Sequence, residues 1–91
     1  MFVGIQHRIR DADAMLSRSE KLAENAPSGV QARQFCLSTD RQFATCIWEA
    51  ASVQAVRDYI DGVQGDSSDN SYFEVDPQAS VGLPQPATAR V

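Results

Sequence analysis

One histidine, His7, and two cysteines, Cys36 and Cys46, are the side chains best suited to chemistry near neutral pH. A histidine can change protonation near neutrality without a large environmental shift, so His7 can serve as acid, base or metal ligand. It stands in "FVGIQHRI", on the parity of Val3, Ile5 and Ile9. Two roles fit that place. One is a core-edge histidine bonded to a loop carbonyl, since buried polar groups find partners. The other is a ligand-binding residue facing a cavity between sheet and helices. A metal would need more donors close by. The sequence offers the two cysteines and many acids, but no local pair such as H-x-x-x-H. The cysteine spacing matches neither a zinc motif nor C-x-x-C, which reads as two buried free thiols.

The other candidates divide by strand parity. Trp48, Tyr72 and Glu74 take the opposite parity from Ile47, Phe73 and Val75. With Gln6 and Arg8 they are expected on the uncovered face of a sheet, as a dimer interface or as the mouth of a site for an aromatic ligand. Glu49 ends a strand roughly 20 Å from His7 at the usual rise, too far to share a metal with it. A pair with Arg33 or with Arg57 is its structural role. If a site exists it centres on His7, as ligand-binding residue or metal ligand. Thr45, Trp48 and Tyr72 are the further ligand-binding candidates, and Met15 and Ser19 form a wall. "DSSDNSYFEVD" is acidic but lacks the spacing of a calcium loop.

The elements that must hold these residues follow from periodicity. Residues 2–9 alternate as a strand. "DADAMLSRSEKLAENA" carries a helical stripe of Met15, Leu16, Leu22 and Ala23, capped by Asp11 or Asp13 and ended by Pro27 and Gly29. Residues 30–38 and 43–48 are two strands joined too tightly for anything but a hairpin. Ser52 caps a second helix that buries Val53, Val56 and Ile60. Residues 64–71 read as a loop and 72–75 as a short fourth strand. Residues 1–77 form the domain, and 78–91, with two of the four prolines, form an extended and partly disordered arm.

The order β-α-β-β-α-β implies an α+β fold of the ferredoxin-like kind. Its antiparallel sheet runs 4-1-3-2, with two helices on one face and the other face bare. A chain of 91 residues is one small domain, and so small a domain gains from a partner. Net charge is −4, and the acids Asp58, Asp61, Asp66, Asp69, Glu74 and Asp76 follow one another with no Lys or Arg between. That argues against nucleic acid as a partner. No run suits a membrane span and "MFVGIQHRIR" lacks a signal-peptide core, so the expected place is the cytoplasm.

"HRIRDADAM", "CIWEAASVQAVRDYID" and "NSYFEVD" resemble small bacterial proteins of the dimeric α/β-barrel superfamily. The resemblance runs over residues 2–83 and includes "VGLP". It implies two such sheets packed face to face as a homodimer. The superfamily includes cofactor-free monooxygenases, isomerases, haem enzymes, proteins of unknown role and a small subfamily that binds nickel. The chain shows no full ligand set from any of those enzymes. The expectation is therefore a small-ligand or metal-binding homodimer, the metal a divalent transition ion such as nickel. The alternatives are a cofactor-free oxygenase or isomerase acting on a small hydrophobic substrate, or a structural or regulatory dimer that binds protein through its acidic rim.

Overall fold

A computed structural model describes residues 1–86 of the chain. Its elements are β1 (Phe2–Ile9), α1 (Ala12–Ser19), β2 (Gln31–Leu37), β3 (Phe43–Glu49), α2 (Val53–Gln64), β4 (Ser68–Glu74) and a 3₁₀ turn at Pro77–Ala79. The four strands make one antiparallel sheet in the order β2-β3-β1-β4, which is 4-1-3-2 read from the other end. The fold is thus α+β, with two helices and the expected strand order. Among the described residues no helix is long and apolar enough to cross a membrane.

Caps set where the helices begin. Asp11 accepts from the Ala14 amide at the start of α1, and Ser52 accepts from the Ala55 amide at the start of α2. Each side-chain oxygen satisfies an amide that the first turn leaves unpaired. Val56 and Ile60 of α2 are fully buried with Val3 and Ile5 of β1 and Cys46 and Trp48 of β3. The Trp48 and Tyr59 rings pack edge to face, with centroids 5.9 Å apart and planes at 73°. Tyr59 then donates its hydroxyl to the Leu22 carbonyl at 2.6 Å, which ties the segment after α1 onto α2.

Helix α1 is shorter than its apolar stripe suggests. It ends at Ser19, and residues 20–25 continue as turns. The Met15 carbonyl accepts from the Ser19 hydroxyl at 2.7 Å and from Gln64 Nε2 at 3.0 Å. A serine bonding back to the preceding turn bends a helix. Gln64, fully buried at the end of α2, also bonds the Ser19 and Ser67 hydroxyls. This polar knot joins α1 to α2, where the sequence suggested the start of a loop.

The fourth strand is longer than its apolar core. It begins at Ser68, because β1 offers backbone partners as far as Ile9 opposite Ser68. The polar run "SDNS" reads as loop by composition and is strand by pairing.

Strand parity is the main correction. Val3 faces Trp48 across the sheet, and Ile5 faces both Cys46 and Tyr72. Residues directly opposite share a face, so Trp48 and Tyr72 lie on the helix-covered face with Val3, Ile5 and His7. The open face carries Gly4, Gln6, Arg8, Phe43, Thr45, Ile47 and Phe73. Strand β3 is apolar on both parities, so alternation alone could not choose between them. The register chose.

Beyond the sheet, Val75 is buried with Phe2 beside a small cleft that Pro77 and Pro86 also line. Arg33 donates to the Gln85 carbonyl at 2.7 Å, which fixes the described part of the arm. Residues 87–91, where the arm was expected to end disordered, lie outside the described residues.

Candidate functional site

His7 is on the central strand β1, 3% exposed, opposite Ala44 of β3 and Asn70 of β4. Both ring nitrogens are engaged. Nδ1 lies 2.6 Å from Asn70 Oδ1, and Nε2 lies 3.1 Å from Cys46 Sγ. The proton positions follow from the partners. Asp61 of α2 accepts from Asn70 Nδ2 at 3.2 Å and from the Tyr72 hydroxyl at 2.6 Å. An ionised carboxylate can only accept, so the amide group of Asn70 must point its NH₂ at Asp61 and its oxygen at His7. The Ser68 hydroxyl donates to that same oxygen at 2.7 Å. His7 therefore donates through Nδ1–H, and its Nε2 is left to accept the Cys46 S–H.

The electrostatics hold the pair neutral. Burial pushes the His7 pKa below its usual 6.5, against a smaller upward pull from the Asn70 hydrogen bond. Burial pushes the Cys46 thiol up to about 12. Both shifts have the cause expected of groups removed from water. Tyr72 is also raised, first by burial and then by its bond to the Asp61 carboxylate. The Arg57 guanidinium lies over the Tyr72 ring, 5.3 Å from its centroid. Asp61 thus accepts from two donors, Asn70 and Tyr72, and the Arg57 guanidinium covers the ring of the second.

Beside this chain of bonds lies a cavity of about 320 Å³. Leu22, Ala23, Ala32, Phe35 and Trp48 form its apolar wall, Ser19, Arg33 and Gln34 add polar atoms, and Cys46 lines it from the sheet. Arg33 is itself held by Glu49, Nη1 to Oε1 2.7 Å, in a mostly buried pair. The hairpin role expected of Glu49 is thus realised with Arg33.

Of the residues singled out in the sequence, His7 is buried on the covered face, as its parity suggested. Tyr72 shares that face and is linked to His7 only through Asp61 and Asn70. Trp48 lines the cavity, but it faces Val3, four residues along β1 from His7, roughly 13 Å at the strand rise. Thr45 pairs with Gln6 and belongs to the open face, so it takes no part in the His7 cluster. Met15 is buried at the Gln64 knot, and Ser19 does line the cavity. Cys46 is a buried free thiol, but Cys36, one register step away opposite Thr45, is free and exposed.

Asn70 and Asp61 were missed. Ser68, Asn70 and Tyr72 share one parity, so the alternation of β4 runs back through the polar run. An antiparallel neighbour must also place some residue opposite His7. Among the described residues no three His, Cys, Asp or Glu side chains are grouped to hold a metal ion. His7 brings Cys46 alone as a second donor. No protein-family model, curated protein or solved structure matches the chain.

Proposed function

We propose that this chain binds a small, compact apolar molecule in the cavity lined by Phe35, Trp48 and Cys46, and that it works as a homodimer of ferredoxin-like subunits joined as a dimeric α/β barrel. The cavity carries the first part. Its 320 Å³ falls at the lower end of the roughly 300–1,000 Å³ of ligand pockets. Apolar walls with a few polar groups suit one small molecule, oriented by Cys46 at one end and by Gln34 or Arg33 at the other.

The dimer rests on the open face. Phe43 is 53% exposed and Phe73 46% exposed there, beside Ile47. Exposed aromatics grouped on one sheet face favour a partner surface, and a domain of this size gains most from covering it. Strand order and element order match those of a ferredoxin-like half-barrel. Of the ligand classes expected, the apolar one is favoured over a metal ion, because the donors around His7 are too few.

Trp48 is the single tryptophan and lines the cavity, so it reports occupancy. Bromobenzene, a heavy-atom quencher of suitable size, should quench its fluorescence saturably. Ala32→Phe, which fills the cavity from β2, should abolish the saturable part. Quenching that stays linear in concentration in the wild type, or that survives Ala32→Phe, would sink the cavity reading. Sedimentation at micromolar concentration tests the dimer, which should revert to monomer in Phe73→Asp. A wild-type monomer ends that part of the proposal.

A further inference from the structure

We infer that Cys46, His7 and Asn70 form a nucleophile system that takes an acyl group from a small apolar activated ester or thioester held in the cavity. This rests on the cavity being a ligand site, as proposed above. Three observations point the same way. The sulfur is within hydrogen-bonding reach of an imidazole nitrogen that is free to accept. The other imidazole nitrogen is fixed by an amide oxygen, whose orientation Asp61 and Ser68 set in turn. And Cys46 lines an apolar cavity large enough for a small acyl group. Nucleophile, base and orienting group in series are the geometry by which such systems are recognised on unrelated folds.

The step balances without a further reagent. The Cys46 sulfur adds to the carbonyl carbon as its proton passes to His7 Nε2. The tetrahedral adduct then collapses. A C–S bond is retained and the bond to the leaving oxygen or sulfur breaks. The leaving group departs with the electron pair and takes the proton back from His7. The product is an acyl thioester on Cys46. Asn70 does not touch the substrate. It is a positioning residue that holds the imidazole in the tautomer able to accept at Nε2, and Asp61 positions Asn70.

The resting pair is neutral thiol and neutral imidazole, so the thiol acts as a serine does, losing its proton only during attack. Its high pKa makes the nascent thiolate a strong nucleophile once formed. The groups facing His7 are Cys46 on β3 and Asn70 on β4, with Asp61 of α2 and Tyr72 behind Asn70. On α1 the charged Asp13 and Arg18 are exposed. With His7 lowered from 6.5, base catalysis should already be at its plateau by pH 7. An unassisted thiol with a pKa of about 12 would instead react tenfold faster for each pH unit between 7 and 9.

The experiment uses Cys36→Ser protein, since Cys36 is exposed and would react by itself. It is treated with p-nitrophenyl butanoate. Release of p-nitrophenolate is followed from pH 7 to 9, and the acylated residue is located by peptide mass mapping. The expected result is a butanoyl group on Cys46 and a rate nearly flat with pH. In the same background, His7→Gln should lower the rate at pH 7 by on the order of 100-fold, the low end for a lost general base. The exchange Asn70→Asp with Asp61→Asn keeps both hydrogen bonds but puts the charge beside the imidazole. It should shift the start of the plateau to higher pH, which a merely structural role for Asn70 would not do. A tenfold rise per pH unit in the parent protein overturns the inference without any core substitution, as does acylation elsewhere than Cys46. If bromobenzene still quenches Trp48 saturably while Cys46 stays unreactive, the nucleophile fails and the binding site stands. Absence of saturable quenching removes both.

Discussion

On its covered face the sheet carries Val3, Ile5, Ala44, Cys46 and Trp48 beneath the helices, and its polar groups His7 and Asn70 are tied to each other and to Asp61. On its open face Phe43, Thr45, Ile47 and Phe73 stand among Gln6, Arg8 and a glycine. The two faces are built from the same strands, and their composition is less different than their environment. What separates them is commitment. Among the described residues no buried side-chain nitrogen or oxygen lacks a partner, so each polar group inside has one orientation. The aromatics outside have no such constraint within the subunit. Apolar content therefore does not say which face of a small sheet is the core, whereas the placing of satisfied polar groups does.

Substitution on β3 should break the comparison most visibly. Trp48→Ala removes the largest covered ring and its contact with Tyr59, and should cost about 3–5 kcal/mol of unfolding free energy in urea titration. Ile47→Ala, its neighbour on the open face, should cost about 1 kcal/mol or less in the monomer. Equal losses would mean that the faces are assigned wrongly.

The covered face should next reveal itself through pH. The folded protein holds His7 neutral below its usual 6.5, so the unfolded chain binds the proton first as pH falls. Stability should be complete above pH 6.5 and should decline as pH falls from there towards the lowered pKa. The loss is about 1.4 kcal/mol for each unit by which that pKa is lowered. The thiol acts in the opposite direction. With Cys46 raised from 9.0 to about 12, stability should fall as pH rises above 9, and Cys46→Ala should remove that alkaline loss. Melting temperatures from pH 5 to 10, for wild type and Cys46→Ala, check both limbs.

Changes on the open face should be smaller for the subunit and specific to its partner. Phe73→Asp should shift monomer stability by about 0.5 kcal/mol or less, as an exposed position should, while abolishing the proposed dimer in sedimentation. Gly4→Ala is the finest probe. A Cβ there would come within 2.3 Å of the Phe73 ring, and that ring, half exposed, can swing away. The variant should weaken the proposed dimer and leave the proposed bromobenzene binding unchanged. A change in binding would show that the two faces are coupled through β1.

The sequence made the element order, the strand order and the placing of His7 legible, because β1 alternates cleanly and the short hairpin allowed one connection. The same hairpin made Arg33 one of two partners legible for Glu49, with Arg57 the other, and the structure takes Arg33. Less was visible where both parities of a strand are apolar. In β3, Phe43, Ile47 and Trp48 all invite burial, and only pairing with Val3 decides for Trp48. The heart of the site was hidden for another reason. Asn70 lies in a run of turn-forming residues whose strand conformation is imposed by β1. Asp61 comes from a helix and reaches Asn70 only in three dimensions. Local propensity carries neither fact. The Cys46–His7 contact likewise needed the register of β1 on β3.

The ladder between β2 and β3 is interrupted once, where Arg33 stands as an extra residue between Ala32, opposite Trp48, and Gln34, opposite Ile47. This has a consequence for which changes of chain length the strand can survive. Loss of Arg33 would leave Ala32, Gln34, Phe35 and Cys36 each facing as before and would turn the ladder regular. Loss of a residue between Gln34 and Leu37 would reverse the facing of part of the strand, turning Phe35 or Cys36 to the other side. Deletion of Arg33 should therefore keep the facing of the strand while costing the mostly buried pair with Glu49, whereas deletion just beyond it should reverse part of the strand. The bulge is the one place in β2 where the hairpin can be shortened without exchanging Phe35 for Cys36 in the cavity wall.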